Sequence, residues 1–222
     1  MNSIVAPEAN ARGPRWERRK ERRPGELLDA ALDLFVERGF AATRLDDVAA
    51  RAGVSKGTLY LYYASKDELF KAVVRENLVP LIENFRRDIE QSDAPGERLL
   101  RNFFEGWWSR VGATRLAGIV KLIVGEAGNF PELAQFFFEE VSQPNLQLLT
   151  DIIDRGIASG EFQSVDVEVA VHAWMSPLIL KAIWTHSIQP CCPGAPEIPA
   201  ERFLNAHLDL IMRCLKTDMS PA

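Results

Sequence analysis

Apolar residues recur at helical spacing along almost the whole chain. After Pro24, a residue suited to a helix's first turn, Leu27, Leu28, Ala31, Leu34 and Phe35 form one apolar face. Gly39 sits where a left-handed residue favours a stop. A short helix is predicted near 44–51, with Thr43 as its cap, Asp46 three residues on, and Leu45, Val48 and Ala49 inward. Gly53 ends it. Ser55 then caps a second short helix carrying Leu59, Tyr60 and Tyr63, and Ser65-Lys66-Asp67-Glu68 is a capping box for a longer one. Leu69, Ala72 and Val73 continue that helix's apolar face, and Pro80 should kink it. Further helices are predicted near 96–111, 114–126, 131–142, 145–159, 166–187 and 200–216. Pro95, Pro131 and Pro199 stand at helix starts, Pro177 lies inside a helix, and 189–199 is a loop. No run alternates as a strand would, so the predicted fold is all-α with about nine helices.

The chain has 222 residues and a net charge of −5, unevenly spread. Residues 1–80 hold 14 Lys+Arg against 12 Asp+Glu, and residues 81–222 hold 12 against 19. Arg12, Arg15, Arg18, Arg19, Lys20, Arg22 and Arg23 crowd the start, which is expected to be a disordered basic arm over residues 1–23. A basic end on an acidic bulk fits a module for an anionic polymer. No apolar run is expected to reach the roughly 18 residues of a membrane span. No signal-peptide pattern opens the chain, and three cysteines make no disulfide framework, so a cytoplasmic setting without membrane attachment is expected.

Two short helices joined through Gly53-Val54 make a helix-turn-helix. Ser55, Lys56, Gly57 and Thr58 cluster at the start of the second helix, where free N–H groups and the helix dipole attract phosphate. Residues there reach base edges in the major groove. Lys56 suits guanine O6 or N7, Thr58 offers a hydroxyl and a methyl, and Gly57 allows close approach. Tyr62 offers a hydroxyl to phosphate, and Lys66 brings a charge to the next helix start.

The stretch from Pro24 to Leu69 closely resembles the DNA-binding region of the TetR (tetracycline-repressor-like) family of transcriptional regulators. The resemblance rests on Gly39-Phe40, Thr43, Asp47-Val48-Ala49, Ala52-Gly53-Val54-Ser55, Gly57-Thr58-Leu59-Tyr60, and Tyr62-Tyr63 before Ser65-Lys66. It implies a helix-turn-helix domain over 24–68, a ligand-binding and dimerisation domain over 69–217 and a disordered tail over 218–222. It further implies a repressor and not an enzyme, acting as a homodimer on a palindromic double-stranded DNA operator and released by a small molecule. Family-style DNA contacts map onto Thr43, Arg44, Ser55, Lys56, Gly57, Thr58, Tyr60, Tyr62 and Lys66; periodicity alone would equally allow Tyr60 to be buried. The basic arm could extend this contact to flanking phosphate or the minor groove.

The GEAGNFPELA portion of 121–141 resembles the ligand domain of an AcrR/AefR-like subset of the family. An effector cavity needs apolar walls and a few polar anchors, and an apolar or aromatic effector is expected. Phe103, Phe104, Trp107, Trp108, Ile119, Ile123, Phe136, Phe137 and Met175 are candidate walls, with Glu126, Asn129 and His172 as anchors. Each aromatic fits plain core packing equally well. Leu204, Leu208, Ile211 and Leu215, with Trp174, Leu178 and Trp184 on the preceding helix, are the candidate dimer interface.

Catalytic and metal chemistry find no support. G-x-S-x-G, P-loop and H-E-x-x-H motifs are absent, and three scattered histidines lack partners. Cys191-Cys192 lacks zinc-site spacing, so neither metal nor other cofactor is expected. The rival reading is an all-helical small-molecule binding protein or enzyme whose DNA affinity is weak and blind to sequence.

Overall fold

The computed structural model describes residues 15–195 and 197–216. Among them are eleven α-helical segments and no strand. In order they are α1 (Arg15–Ala42), α2 (Leu45–Arg51), α3 (Lys56–Tyr60), α4 (Lys66–Asn77), α5 (Val79–Glu90), α6 (Gly96–Trp107), α7 (Ala117–Glu126), α8 (Pro131–Phe137), α9 (Gln143–Ala158), α10 (Val167–Ile183) and α11 (Ala200–Leu215). They join into nine rods. Helix α4 runs into α5 at Leu78, and α8 runs into α9 through a π-turn at Phe138–Ser142. Two more π-turns extend α6 (Trp108–Gly112) and α10 (Trp184–Ile188).

Local chemistry sets most of the boundaries. Ser55 and Ser65 accept the N–H groups of Thr58 and Glu68 at 3.1 Å each, capping α3 and α4 as their sequences predict. Asp166 caps α10 in the same way, through Val169 N–H. Pro95 precedes α6 but offers no acceptor. Glu161 supplies it from the loop between α9 and α10, taking the N–H groups of Gly96 and Glu97 at 2.6 and 2.9 Å. Pro80 falls in the first turn of α5, so the expected kink is a break followed by a restart.

Three expectations need correction. The first helix begins at Arg15, so Pro24 lies inside it and residues 15–23 are helical where disorder is expected. The remainder of the basic arm, 1–14, and the tail after Lys216 lie outside the described residues. Thr43 does not cap α2. Arg44 holds that position without a side-chain cap, while the Thr43 hydroxyl is buried, 2.7 Å from the Gly39 carbonyl and 3.1 Å from that of Leu34. Finally, one helical stretch, Val167–Cys191, is long and apolar enough to cross a membrane, with a mean hydropathy of 1.2. It packs on the core through Ala170, Val171, Met175, Leu178 and Ala182, which accounts for part of that hydropathy.

One continuous core runs from α1 to α11. Helices α1–α3 close around Leu34, Phe35, Val48, Ala49 and Leu59, and α4 adds Leu69, Phe70 and Val73. Phe40 lies where these helices meet the rest. Its ring stacks on Phe35 at 5.7 Å and meets Phe70 and Phe130 edge-on at 5.6 and 4.8 Å. Helix α7 lies along α1, with Arg115 bridging Asp29 and Asp33 at 2.7 and 2.6 Å. Arg75 on α4 grips Glu140 beyond α8.

His207 is a buried histidine that bonds the Trp174 carbonyl through Nε2 at 2.8 Å, between the rings of Phe104 and Phe203. Burial holds its pKa below the ordinary 6.5, against the opposing pull of that carbonyl. The unfolded chain therefore takes up this proton first as pH falls. The stabilising contribution is intact above the unfolded value and is lost as pH drops towards the lower folded value. Urea unfolding at stepped pH should show the acid-side decline of the wild type to be steeper than that of His207→Gln. Parallel declines would remove His207 as its source.

Candidate nucleic-acid interface and effector cavity

The outer surface of α3 is built by subtraction. Leu59 alone is fully buried in that helix and anchors it to the core. Ser55, Lys56, Gly57, Tyr60 and Leu61 are exposed, and Thr58 is half-buried with its hydroxyl 2.9 Å from that of Ser55. Tyr60 is 45 % exposed, which settles its position in favour of the surface. Leu61, at 83 % exposed, is an apolar side chain that periodicity does not single out. Ion pairs fix the head's geometry: Arg51 with Glu37, Arg38 with Asp47, and Lys56 with Asp46 at 2.8 Å. Hydrogen bonding to Asp46 raises the Lys56 pKa, and the exposed ammonium lies 5.9 Å from the centre of the Tyr60 ring.

Other predicted contacts separate into two groups. Arg44 is exposed at the start of α2. Tyr62 is half-buried and packs against the core. The side chain of Thr43 is spent inside the fold, as described above. That of Lys66 is spent too: its ammonium donates to the carbonyls of Phe40 and Ala41 at 2.7 and 3.1 Å and lies 4.4 Å from the centre of the Phe40 ring. Desolvation lowers its pKa. Lys66 therefore closes the end of α1, where orphan carbonyls need donors, and is not aimed outward.

The second domain contains a cavity of about 240 Å³ between α6, α7, the α8–α9 junction and α10. Trp107, Phe137, His172 and Met175 line it, as the sequence predicts. Val120, Phe138, Val141, Ser142, Asn145, Leu146, Ser176 and Ile179 line it as well. A narrow space of about 30 Å³ continues from Trp107, Val120, Val141 and Asn145 towards Leu78 and Val111. The walls are mainly apolar, and the polar groups sit at the end of the π-turn before α9, on α9 and on α10. Ser142 with Asn145, and His172 with Ser176, recur at helical spacing, the one sequence signal that could have marked this face.

The other predicted walls lie elsewhere. Phe103, Phe104, Trp108 and Ile119 are buried in the core, and Ile123 is half-buried against it. Phe136 packs beneath Lys71 and Arg75. Asn129 is exposed at the α7–α8 corner. Glu126 does not reach the cavity: its carboxylate accepts the backbone N–H groups of Phe40 and Ala41 at 2.8 and 3.0 Å.

The predicted dimer stripe also needs correction. Leu204, Leu208, Ile211 and Leu215 turn inward and are at most 7 % exposed; Leu178 is fully buried and Trp174 is half-buried against the core. Trp184 does reach the surface, at 37 % exposed. The open apolar stripe is a different one. It runs along α10 through Val169, Ala173, Leu180 and Trp184, and along α11 through Leu210 beside half-buried Phe203.

The sequence matches two family models. Residues 27–73 match the bacterial regulatory proteins of the tetR family, and residues 97–190 match the tetracyclin repressor-like C-terminal domain. The chain belongs to the TetR family.

It is therefore a DNA-binding transcriptional regulator, with its helix-turn-helix in α2–α3. Among its relatives, the HTH-type transcriptional repressor KstR2 of Mycolicibacterium smegmatis is 28% identical over 192 residues, covering 86% of this chain and 89% of that protein. The fatty acid metabolism regulator protein of Bacillus subtilis is 29% identical over 154 residues, 68% of this chain and 78% of that protein. The crystal structure of Bacillus subtilis FadR in complex with stearoyl-CoA shares the fold, with a TM-score of 0.68 at 23% identity, over 86% of this chain and 98% of that one. The TetR head here is thus α1–α3 with the start of α4, and the cavity lies wholly in the C-terminal domain.

Proposed function

We propose that this TetR regulator is a repressor that binds a palindromic operator as a homodimer and leaves it when an acyl-type ligand fills the cavity. The observation that carries the DNA reading is the α3 surface, where one buried leucine is surrounded by exposed Ser55, Lys56, Gly57, Tyr60 and Leu61. Gly57 lets the helix backbone approach base edges, Lys56 exchanges Asp46 for a base or phosphate, and Leu61 offers an apolar contact of the kind a thymine methyl accepts. Arg44 and Tyr62 supply backbone contacts. The basic arm extends the same interface; deleting residues 1–22 should then reduce the salt dependence of binding.

The ligand class is drawn from two supports. The cavity has apolar walls with polar groups gathered at the start of α9 and on α10, and one relative's name concerns fatty acid metabolism while a fold neighbour holds stearoyl-CoA. An acyl chain on the apolar side with its polar end near Asn145 and His172 fits that distribution. The GEAGNFPELA corner at the end of α7 supports placement near the AcrR/AefR-like subset, and the DNA-binding role supports a cytoplasmic location.

Selection from a random pool of DNA duplexes near physiological salt tests the core of this reading. A retained palindrome with half-sites about one helical turn, roughly 34–36 Å, apart supports it. Stearoyl-CoA should then weaken binding to that duplex. No enriched sequence from folded protein would favour the rival, a helical ligand-binding protein without sequence-specific DNA affinity.

The open stripe on α10 and α11 supports the dimer, since a face of this kind needs a covering surface. The family-like arrangement is a two-fold four-helix interface. Replacing Leu180 and Trp184 together by glutamate should give a folded monomer in sedimentation velocity. A dimer that survives both charges would place the interface elsewhere.

A further inference from the structure

The end of α1 is held from both sides. Gly39 adopts φ 83° and ψ 172°, a backbone region nearly exclusive to glycine, and this break removes the helical acceptors from the next two N–H groups. Those N–H groups, of Phe40 and Ala41, bond to the two oxygens of Glu126, 86 and 85 residues away in the other domain. The carbonyls of the same two residues accept from Lys66 at the start of α4. A β-carbon at position 39 would lie 2.5 Å from Glu126 Oε1, so the glycine also makes room for the carboxylate. The Phe130 ring, four residues beyond Glu126, closes on Phe40 from the same corner.

We propose that Glu126 is a positioning residue for DNA recognition, fixing the angle of the helix-turn-helix head on the effector domain. The inference rests on the reading of α3 as the DNA-reading helix. Helix α7 links the two ends physically. Val120 lines the cavity, and Glu126 ends the same helix; beyond the corner, α8 carries Phe137 back to the cavity wall. A ligand that displaces either helix therefore moves the carboxylate that holds the head. Arg115 fastens the other end of α7 to α1, but through exposed side chains on both partners. Glu126 instead holds backbone, so its displacement moves the chain itself. A carboxylate suits the task because two adjacent donors need two acceptor oxygens. Glutamine offers one and sets an NH₂ against the other donor.

The test uses the full chain and the duplex selected from the random pool. Wild type, Glu126→Gln, Glu126→Ala and the surface control Glu139→Gln are compared in operator affinity, low-salt affinity for unrelated DNA, thermal midpoint and amide exchange at Phe40 and Ala41. The expected result is operator binding weakened about tenfold or more in both Glu126 variants, the loss of charge-assisted hydrogen bonds. Affinity for unrelated DNA and the Glu139→Gln control stay unchanged, and exchange quickens at residues 40 and 41 ahead of the rest of α1. Tenfold weaker binding to both DNAs, or unchanged operator affinity with only a lower thermal midpoint, would overturn the inference and leave Glu126 a stabilising contact. A wild type that selects no duplex would remove the DNA-reading assignment and this inference with it. Selection by the wild type with unaffected variants removes the inference alone.

Discussion

Truncating Phe40 to alanine is expected to lower the unfolding free energy by about 3–5 kcal/mol, the range for a large aromatic removed from a packed core. Phe40 is 1 % exposed and touches four groups from three elements: Phe35 on α1, Phe70 and Lys66 on α4, and Phe130 at the head of α8. The surrounding rings are fixed by one another, with Phe35 and Phe70 edge-to-face at 5.3 Å, so the site cannot easily collapse around the void. Against a typical total of about 5–15 kcal/mol, such a loss brings the protein close to unfolding. Urea denaturation measures it directly. Phe40→Leu, which keeps most of the volume, should cost much less. Equal effects of the two substitutions would show that the aromatic contacts, rather than the cavity, carry the stability.

Replacing Lys56 and Tyr60 together by alanine should weaken operator binding by about 100-fold or more, taking roughly 1–3 kcal/mol for each lost base or phosphate contact. Both side chains are exposed, so the thermal midpoint should hardly move. The salt dependence should also flatten by about one counterion for the lost ammonium. Tyr62 is less suitable for alanine scanning because its ring packs against the core; Tyr62→Phe removes only the hydroxyl. Unchanged operator affinity of the Lys56/Tyr60 double variant, measured by fluorescence anisotropy, would exclude the exposed α3 face as the reading surface.

The DNA-binding head was the most legible part of the sequence because its signals are local. Ser55 and Ser65 lie three residues from the N–H groups they cap, and Gly53 and Leu59 define the turn and its anchor within a few positions. The C-terminal domain follows different rules. On α10 and α11 apolar residues occupy more than one face, and periodicity finds each stripe without saying which meets the core. Leu204, Leu208, Ile211 and Leu215 form the regular stripe, yet the open one passes through Leu210. Cavity walls pose the same difficulty: Trp107 lines the space while its neighbour Trp108 packs in the core. Glu126 was legible as a polar residue in an apolar stretch, but its partners lie more than 80 positions away. Lys66 is similar, since a lysine at a helix start looks equally suited to DNA or to the carbonyls of an earlier helix.

The π-turns bear on how this domain tolerates changes in length. A π-turn closes on the fifth residue instead of the fourth and so houses one residue more than an α-turn. Deleting a single residue from Phe138–Ser142 would let α8 and α9 run on as one regular helix, with no gap to bridge. Because the wide turn already absorbs the extra residue, the helices on either side would keep nearly the same rotation and rise, whereas the same deletion from a regular α-helix would turn one side by about 100° and draw it in by about 1.5 Å. Phe137 would still face the cavity with Asn145 and Leu146, and only the wall contributed by the turn itself would be recast. One-residue insertions and deletions at such turns reshape a cavity while sparing the helices around it, a route to new ligand specificity that substitution alone would reach only in many steps.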